Sequence, residues 1–143
     1  DVVALTAKHY SSILKALFKD KDYNTFDLDG ADIIGDLYDI PLPDESIGTA
    51  LCFDVLEHLA KPQKAVDEMR RVLKPGGLII ITTPMCWGLH EYPKDYWRVM
   101  PQGMEYLLRD WFKELLITRN TEGDTKGHLF VIARKISLEE KLL

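Results

Sequence analysis

Two apolar stretches with an amphipathic stretch between them dominate the middle of the chain. Thr49 to Phe53 is apolar. An acidic turn, Asp54-Val55-Leu56-Glu57-His58, follows it. From about Pro62 to Leu73, Ala65, Val66, Met69, Val72 and Leu73 recur at three- and four-residue steps, which puts them on one stripe of a helix. Lys64, Asp67, Glu68, Arg70 and Arg71 fall on the water-facing side. Pro62 suits the first helical turn, where its missing N–H has no partner to lose. Lys74-Pro75-Gly76-Gly77 reads as the stop, because proline cannot continue the helix and glycine tolerates the angles of a reversal. Leu78 to Ile81 is continuously apolar rather than alternating, as a strand covered on both faces must be. The unit is strand, helix, strand, and the sheet should be parallel with helices on each side.

The rest of the chain fills in around that unit. Residues 1 to 6 can form a short strand. Tyr10, Ile13, Leu14, Leu17 and Phe18 form a helical stripe, with Ser11 and Ser12 near its start, where hydroxyls can cap. Asn24 to Leu28 and Ala31 to Ile34 read as strands ending in acid and glycine. Pro41 to Ser46 is a loop, since its two prolines fit neither a ladder nor a helix interior. An aromatic and charged loop spans Trp87 to Arg98. A helix entered at Pro101 carries Met104, Leu107, Leu108 and Trp111. Two strands, Lys113 to Arg119 and His128 to Arg134, close the chain as an antiparallel pair across the short link Thr121 to Gly127. The predicted fold is α/β, a Rossmann-like doubly wound, mostly parallel sheet with an antiparallel C-terminal edge. It forms one domain over residues 1–136, with 137–143 as a helical tail. Right-handed crossovers would align the strand ends Asp27, Asp36, Asp54 and Pro84 along one rim, where open α/β sheets bind ligands.

Composition narrows the classes. With 143 residues, 46% hydrophobic and 29% charged, the chain suits one core. Its formal net charge of −5 disfavours a broad nucleic-acid or anionic-membrane surface. No apolar run reaches the roughly 20 residues that span a bilayer, and no signal segment opens the sequence, so cytoplasm is the default. Cys52 and Cys86 lack metal-type spacing and read as reduced thiols. His90 with Glu91 and Asp95 matches no standard metal spacing, so no metal is expected.

Four consecutive motifs carry a resemblance: Asp32-Ile33-Ile34-Gly35-Asp36, Ile40 to Ser46, Leu51 to Leu59, and Arg71 to Gly77. Over roughly residues 10 to 134 the chain resembles the class I S-adenosylmethionine-dependent methyltransferases, in the small-molecule-type branch. The run His90 to Arg98 is similar to a loop of a bacterial and archaeal subgroup linked with surface-glycan or lipid pathways. The resemblance implies transfer of a methyl group from S-adenosylmethionine, leaving S-adenosylhomocysteine, to a small-molecule or glycan-type acceptor. Asp27, with Leu28 beside it, would receive the ribose hydroxyls, and Asp36 with the backbone of Leu37 would read adenine. Phe53 and Asp54 would border the methionine portion. Tyr92, Tyr96, Trp97 and Arg98, with His90, would wall the acceptor pocket. His58 or His90 would serve as a base if the acceptor is protonated.

One departure stands out. The family's first strand leads into a Gly-x-Gly loop, and the matching place here, Val2 to Tyr10, has no glycine before Gly30. Either residues are missing near that place or the loop is degenerate. In either case residues 1 to 6 should still supply the strand, because its loss would bare two edges in mid-sheet. Two further function classes therefore stay open: a non-catalytic methyltransferase-like binding module, and a nicotinamide-dependent oxidoreductase, which is disfavoured because it needs the same glycine loop. Plainer readings also stand: Asp27, Asp29 and Asp36 as turn formers beside glycine, Glu57 as a cap of the following helix, the loop aromatics as a satellite core, and His128 as a structural residue.

Overall fold

A computed structural model of the chain describes residues 1–5, 10–90, 94–122 and 126–143. Its strands are β1 (Val2–Leu5), β2 (Tyr23–Asp27), β3 (Ile33–Ile34), β4 (Ile47–Phe53), β5 (Leu73–Cys86), β6 (Phe112–Glu122) and β7 (Lys126–Lys135). Its helices are α1 (Ser11–Leu17), α2 (Pro62–Val72), α3 (Pro101–Leu108) and α4 (Leu138–Leu142), with a 3₁₀ turn at Leu56–His58. The seven strands make one sheet in the order β3-β2-β1-β4-β5-β7-β6. β1 sits in the middle, parallel to β2 and β4, and all four of its residues are buried. The expected central strand is therefore present. The chain order reverses at β1, the switch point of a doubly wound sheet. The antiparallel element is β7, which inserts between β5 and β6 and pairs with both.

Alternation along the strands divides the core. Val3 and Leu5 of β1, Ala50 and Cys52 of β4, and Ile79 and Ile81 of β5 face α2 and α3 through Val66, Met69, Met104 and Leu108. Val2, Ala4 and Leu51 face α1 through Leu14. The stripe expected on α1 is broader than the surface it covers: Leu14 packs, whereas Ile13 and Leu17 are 61% and 71% exposed. Its N-cap is Tyr10, whose side chain makes no capping bond. No helix among the described residues is long and apolar enough to cross a membrane.

Two other expectations change. The Lys74-Pro75-Gly76-Gly77 reversal stays inside β5 as a bulge: Leu73 pairs with Ile47 and Leu78 with Thr49. Gly76 has φ +78°, and a Cβ on Gly77 would stand 2.9 Å from the Gly48 carbonyl oxygen. At its other end β5 continues past Pro84 to Cys86 along β7, so Pro84 is within the strand rather than at its end. Arg71 and Glu68 do not simply face water. The Arg71 guanidinium donates to the carbonyls of Ile40 and Leu42 (2.7 and 2.8 Å), to Asp44 Oδ1 (2.8 Å) and to both Glu68 oxygens. Glu68 also accepts from the Ile40 N–H at 2.9 Å. One helical side chain thus ties the proline loop down over α2.

Arg71→Met should cost about 2 kcal/mol in urea unfolding, because half-buried hydrogen bonds to two backbone carbonyls go with it. Asp44→Ala, at the exposed rim, should cost under about 0.5 kcal/mol. Arg71 holds the Glu68 carboxyl below its ordinary range. The pair's contribution is therefore complete above the unfolded value of about 4.3 and declines as pH falls through the folded value. The gap between wild type and Arg71→Met should narrow from about pH 5 to about pH 2, read from urea midpoints.

Candidate functional site

At the switch point, β2 and β4 lie on either side of β1 and end in acid. Asp27 closes β2. Its Oδ1 accepts the Leu28 N–H at 2.7 Å and its carbonyl accepts from Gly35. Oδ2 makes no hydrogen bond among the described residues, and the neighbouring Leu28 is 71% exposed. This is an acceptor open to a ligand with hydroxyl donors. Asp36, two residues past β3, folds its Oδ1 onto the Tyr38 N–H at 2.8 Å, a turn of the kind short acidic side chains favour. Leu37 beside it packs on the core and fixes the backbone there.

The β4 end is built differently. Phe53 meets the Tyr10 ring edge-on, with centroids 5.8 Å apart. Asp54 then takes a left-handed backbone (φ 52°), a conformation that aspartate tolerates better than most residues. Its carboxylate is enclosed. The Tyr10 hydroxyl donates to Oδ2 at 2.5 Å, the Thr82 hydroxyl donates to Oδ1 at 2.9 Å, and His128 Nε2 lies 3.6 Å from Oδ1. Burial, and then the Asp54 carboxylate, push the Tyr10 phenol well above its ordinary range, so it stays a donor. Tyr10, Thr82 and His128 also line a cavity of about 290 Å³ with Thr118, Asn120 and Phe130. Sequence reasoning missed these partners. Tyr10 looked like one step of a helical stripe, and only the register of β5 against β7 brings His128 to this edge.

A second cluster lies just beyond Asp54. Glu57 is completely buried and does not cap α2, whose N-cap is Lys61. Burial raises its carboxyl to about 7, with Asp54 adding to the shift. His58 Nδ1 meets the Lys94 carbonyl at 2.6 Å, its Nε2 stands 3.8 Å from Glu57 Oε1, and its ring meets His90 edge-on at 5.1 Å. The structure thus brings together the two histidines expected to act at an acceptor. Tyr92 lies outside the described residues. Tyr96 and Trp97 are half exposed, and Trp97 is anchored by its Nε1–H to the Leu59 carbonyl at 2.7 Å. Arg98 is not free to meet a ligand. It forms a two-pronged pair with the enclosed Asp95 and reaches the carbonyls of Trp87 and Gly88, which braces the loop from inside. Cys52 is a buried free thiol.

For a nucleoside-bearing cofactor the fit divides. The Asp27–Leu28 edge offers an unengaged carboxylate oxygen beside an open side chain, which suits a ribose diol. The Asp54 carboxylate already has donors, so a ligand ammonium there would share it with Tyr10 and Thr82.

The family described as methyltransferase domain matches residues 6–81, just over half of the chain. A 2-methyl-6-phytyl-1,4-hydroquinone methyltransferase of Oryza sativa subsp. japonica is 31% identical over 90 residues, covering 61% of this chain and 27% of the relative. The corresponding enzyme of Arabidopsis thaliana is 34% identical over 82 residues, covering 55% of this chain and 23% of the relative. The chain thus spans about a quarter or less of the length of the curated relatives it matches. The solved Burkholderia thailandensis 1,6-didemethyltoxoflavin-N1-methyltransferase, with 1,6-didemethyltoxoflavin and S-adenosylhomocysteine bound, superposes with a TM-score of 0.78 at 15% identity. That superposition covers 95% of this chain and 71% of the neighbour, a likeness of fold.

If Arg98 braces the loop, Arg98→Met should raise chymotryptic cleavage between Trp87 and Trp97 about tenfold by lowering the local opening free energy. Asp95→Asn should do the same. An unchanged cleavage rate in both variants would refute the brace.

Proposed function

The chain belongs to the methyltransferase-domain family of class I S-adenosylmethionine-dependent enzymes, and from that premise we propose that it transfers a methyl group to a small-molecule or glycan-type acceptor. The observation that carries this reading is the pair of acidic strand ends, Asp27 and Asp54, flanking β1 at the switch point of the sheet. In this assignment Asp27 Oδ2 accepts from the ribose hydroxyls and Leu28 lies beside them. Asp36 and the backbone of Leu37 face the adenine edge. Phe53 and Asp54 border the methionine end. A small-molecule acceptor agrees with the hydroquinone and didemethyltoxoflavin named for the relatives above.

When bound, the cofactor supplies an electrophilic methyl on a sulfonium sulfur. The reaction is then a direct displacement, and alignment of nucleophile, methyl and sulfur accounts for much of the rate. The exposed faces of Tyr96 and Trp97 would hold the acceptor on the far side of Asp54. Glu57, His58 and His90 form the end of the site that handles an acceptor's proton where it has one.

A second reading, a methyltransferase-like module without catalysis, draws on two observations: the absence of glycine before Gly30, and the donors that already occupy the Asp54 carboxylate. Calorimetric titration of the chain with S-adenosylhomocysteine separates the two. Micromolar binding that weakens at least about tenfold in Asp27→Ala, the loss of a charge-assisted pair of hydrogen bonds, supports the enzyme. Absence of binding here, and in any longer natural form that exists, would leave the non-catalytic module.

A further inference from the structure

Glu57 is a buried carboxyl short of partners. Its side chain is fully buried, the hydrogen bond that Oε2 receives from the Thr83 hydroxyl is long at 3.4 Å, and Oε1 has no hydrogen-bond partner among the described residues. Buried carboxylates in proteins are paired or coordinate a cation. Arg98, the cation whose field also reaches Glu57, is bound up with Asp95. What does face Glu57 is imidazole: one donor atom each from Glu57, His58 and His90 lie within 4.8 Å of one another.

The outer contacts decide which nitrogens point inward. The Lys94 carbonyl can only accept, so the 2.6 Å contact places the His58 proton on Nδ1. The lone pair on Nε2 then faces Glu57 Oε1 at 3.8 Å. His90 Nδ1 lies 3.3 Å from the Gly88 carbonyl and 3.4 Å from Asp95 Oδ2, and its own backbone N–H is held by Asp95 at 2.9 Å. A carbonyl or carboxylate on the remote nitrogen is how proteins orient metal-bound histidines. Both imidazoles carry such partners on Nδ1, which leaves His58 Nε2 and His90 Nε2 as the nitrogens able to bind a cation beside the Glu57 carboxylate.

We propose that Glu57, His58 and His90 form a binding site for a divalent transition-metal cation. Two imidazoles and one carboxylate suit zinc or ferrous iron and leave coordination positions open. Tetrahedral ligands about 2.1 Å from a metal stand roughly 3.4 Å apart, so the 3.8 Å between Oε1 and Nε2 closes with a small side-chain adjustment. The site uses none of the residues assigned to the cofactor and stands independently of methyl transfer. That an acceptor atom completes the coordination is a consequence that rests on the methyltransferase reading.

The test is a calorimetric titration of Zn²⁺ into the chain, free of any histidine tag and stripped with a chelator. S-adenosylhomocysteine is titrated into the same sample separately. The expected result is one Zn²⁺ per chain at micromolar affinity or tighter, weakened at least tenfold in His90→Ala and in Glu57→Gln. Co²⁺ should give visible absorption bands that His90→Ala abolishes. His90 lies in the loop and is partly exposed, so its variant remains informative even if Glu57→Gln fails to fold. No saturable Zn²⁺ binding, or an affinity unchanged in His90→Ala, overturns the site. A null result with S-adenosylhomocysteine alone would count against the methyltransferase reading and leave the metal result intact.

Discussion

Four buried residues, Val2 to Leu5, hold the two halves of this sheet together. β1 is hydrogen-bonded on both edges and covered on both faces, so it answers at once to β2, β4, α1 and the α2 side of the core. A strand so placed has no tolerance for polar side chains and needs none, because its ladder satisfies the backbone on each edge. The shared rim of strand ends follows from it. Parallel strands that share a central neighbour end on the same side, and the acids that terminate β2 and β4 are brought together by that constraint alone.

The carboxylates along this rim have very different surroundings, and the differences carry the chemistry. Asp27 is half exposed with one oxygen unengaged. Asp54 is surrounded by hydroxyls and an imidazole. Asp95 is neutralised by a guanidinium and lies below its ordinary range, whereas burial shifts Glu57 upward. The same functional group is thus offered as an open acceptor, a satisfied anchor, a structural ion pair and a buried carboxyl short of partners.

Much of the fold was legible because it depends on local rules. Pro62, the Ala65-Val66-Met69-Val72 stripe and the continuous run Leu78 to Ile81 each answer to a neighbour a few residues away, and each landed where its spacing put it. What stayed hidden depends on distant partners. Arg71 has the period of a surface residue, and only the folding of the 40–44 loop across α2 encloses it. Tyr10 fits a helical stripe, yet its hydroxyl reaches across 44 positions to Asp54. Glu57 stands where a helix cap would, but the 3₁₀ turn points it into the core. Pro84 looked like a terminator. It is tolerated inside β5 because its nitrogen faces the β4 edge, and β4 pairing ends opposite Thr82, so no ladder there needs the N–H that proline lacks. Asp27 and Asp54 thus stand at the ends of β2 and β4, as their spacing suggested, while partners of Asp54 come from distant parts of the chain, Tyr10 and His128.

The insertion of β7 between β5 and β6 imposes an order on assembly. β6 precedes β7 in sequence but reaches the sheet only through it, so residues 112–122 have no place to dock until residues 126–135 have formed. As the chain emerges from a ribosome, the long apolar edge of β5 is complete about fifty residues before the whole of the strand that covers it has left the exit. During that interval the edge can template pairing with another chain. The hairpin of β6 and β7, whose contacts are local, can close on itself first and then seal the edge as a unit.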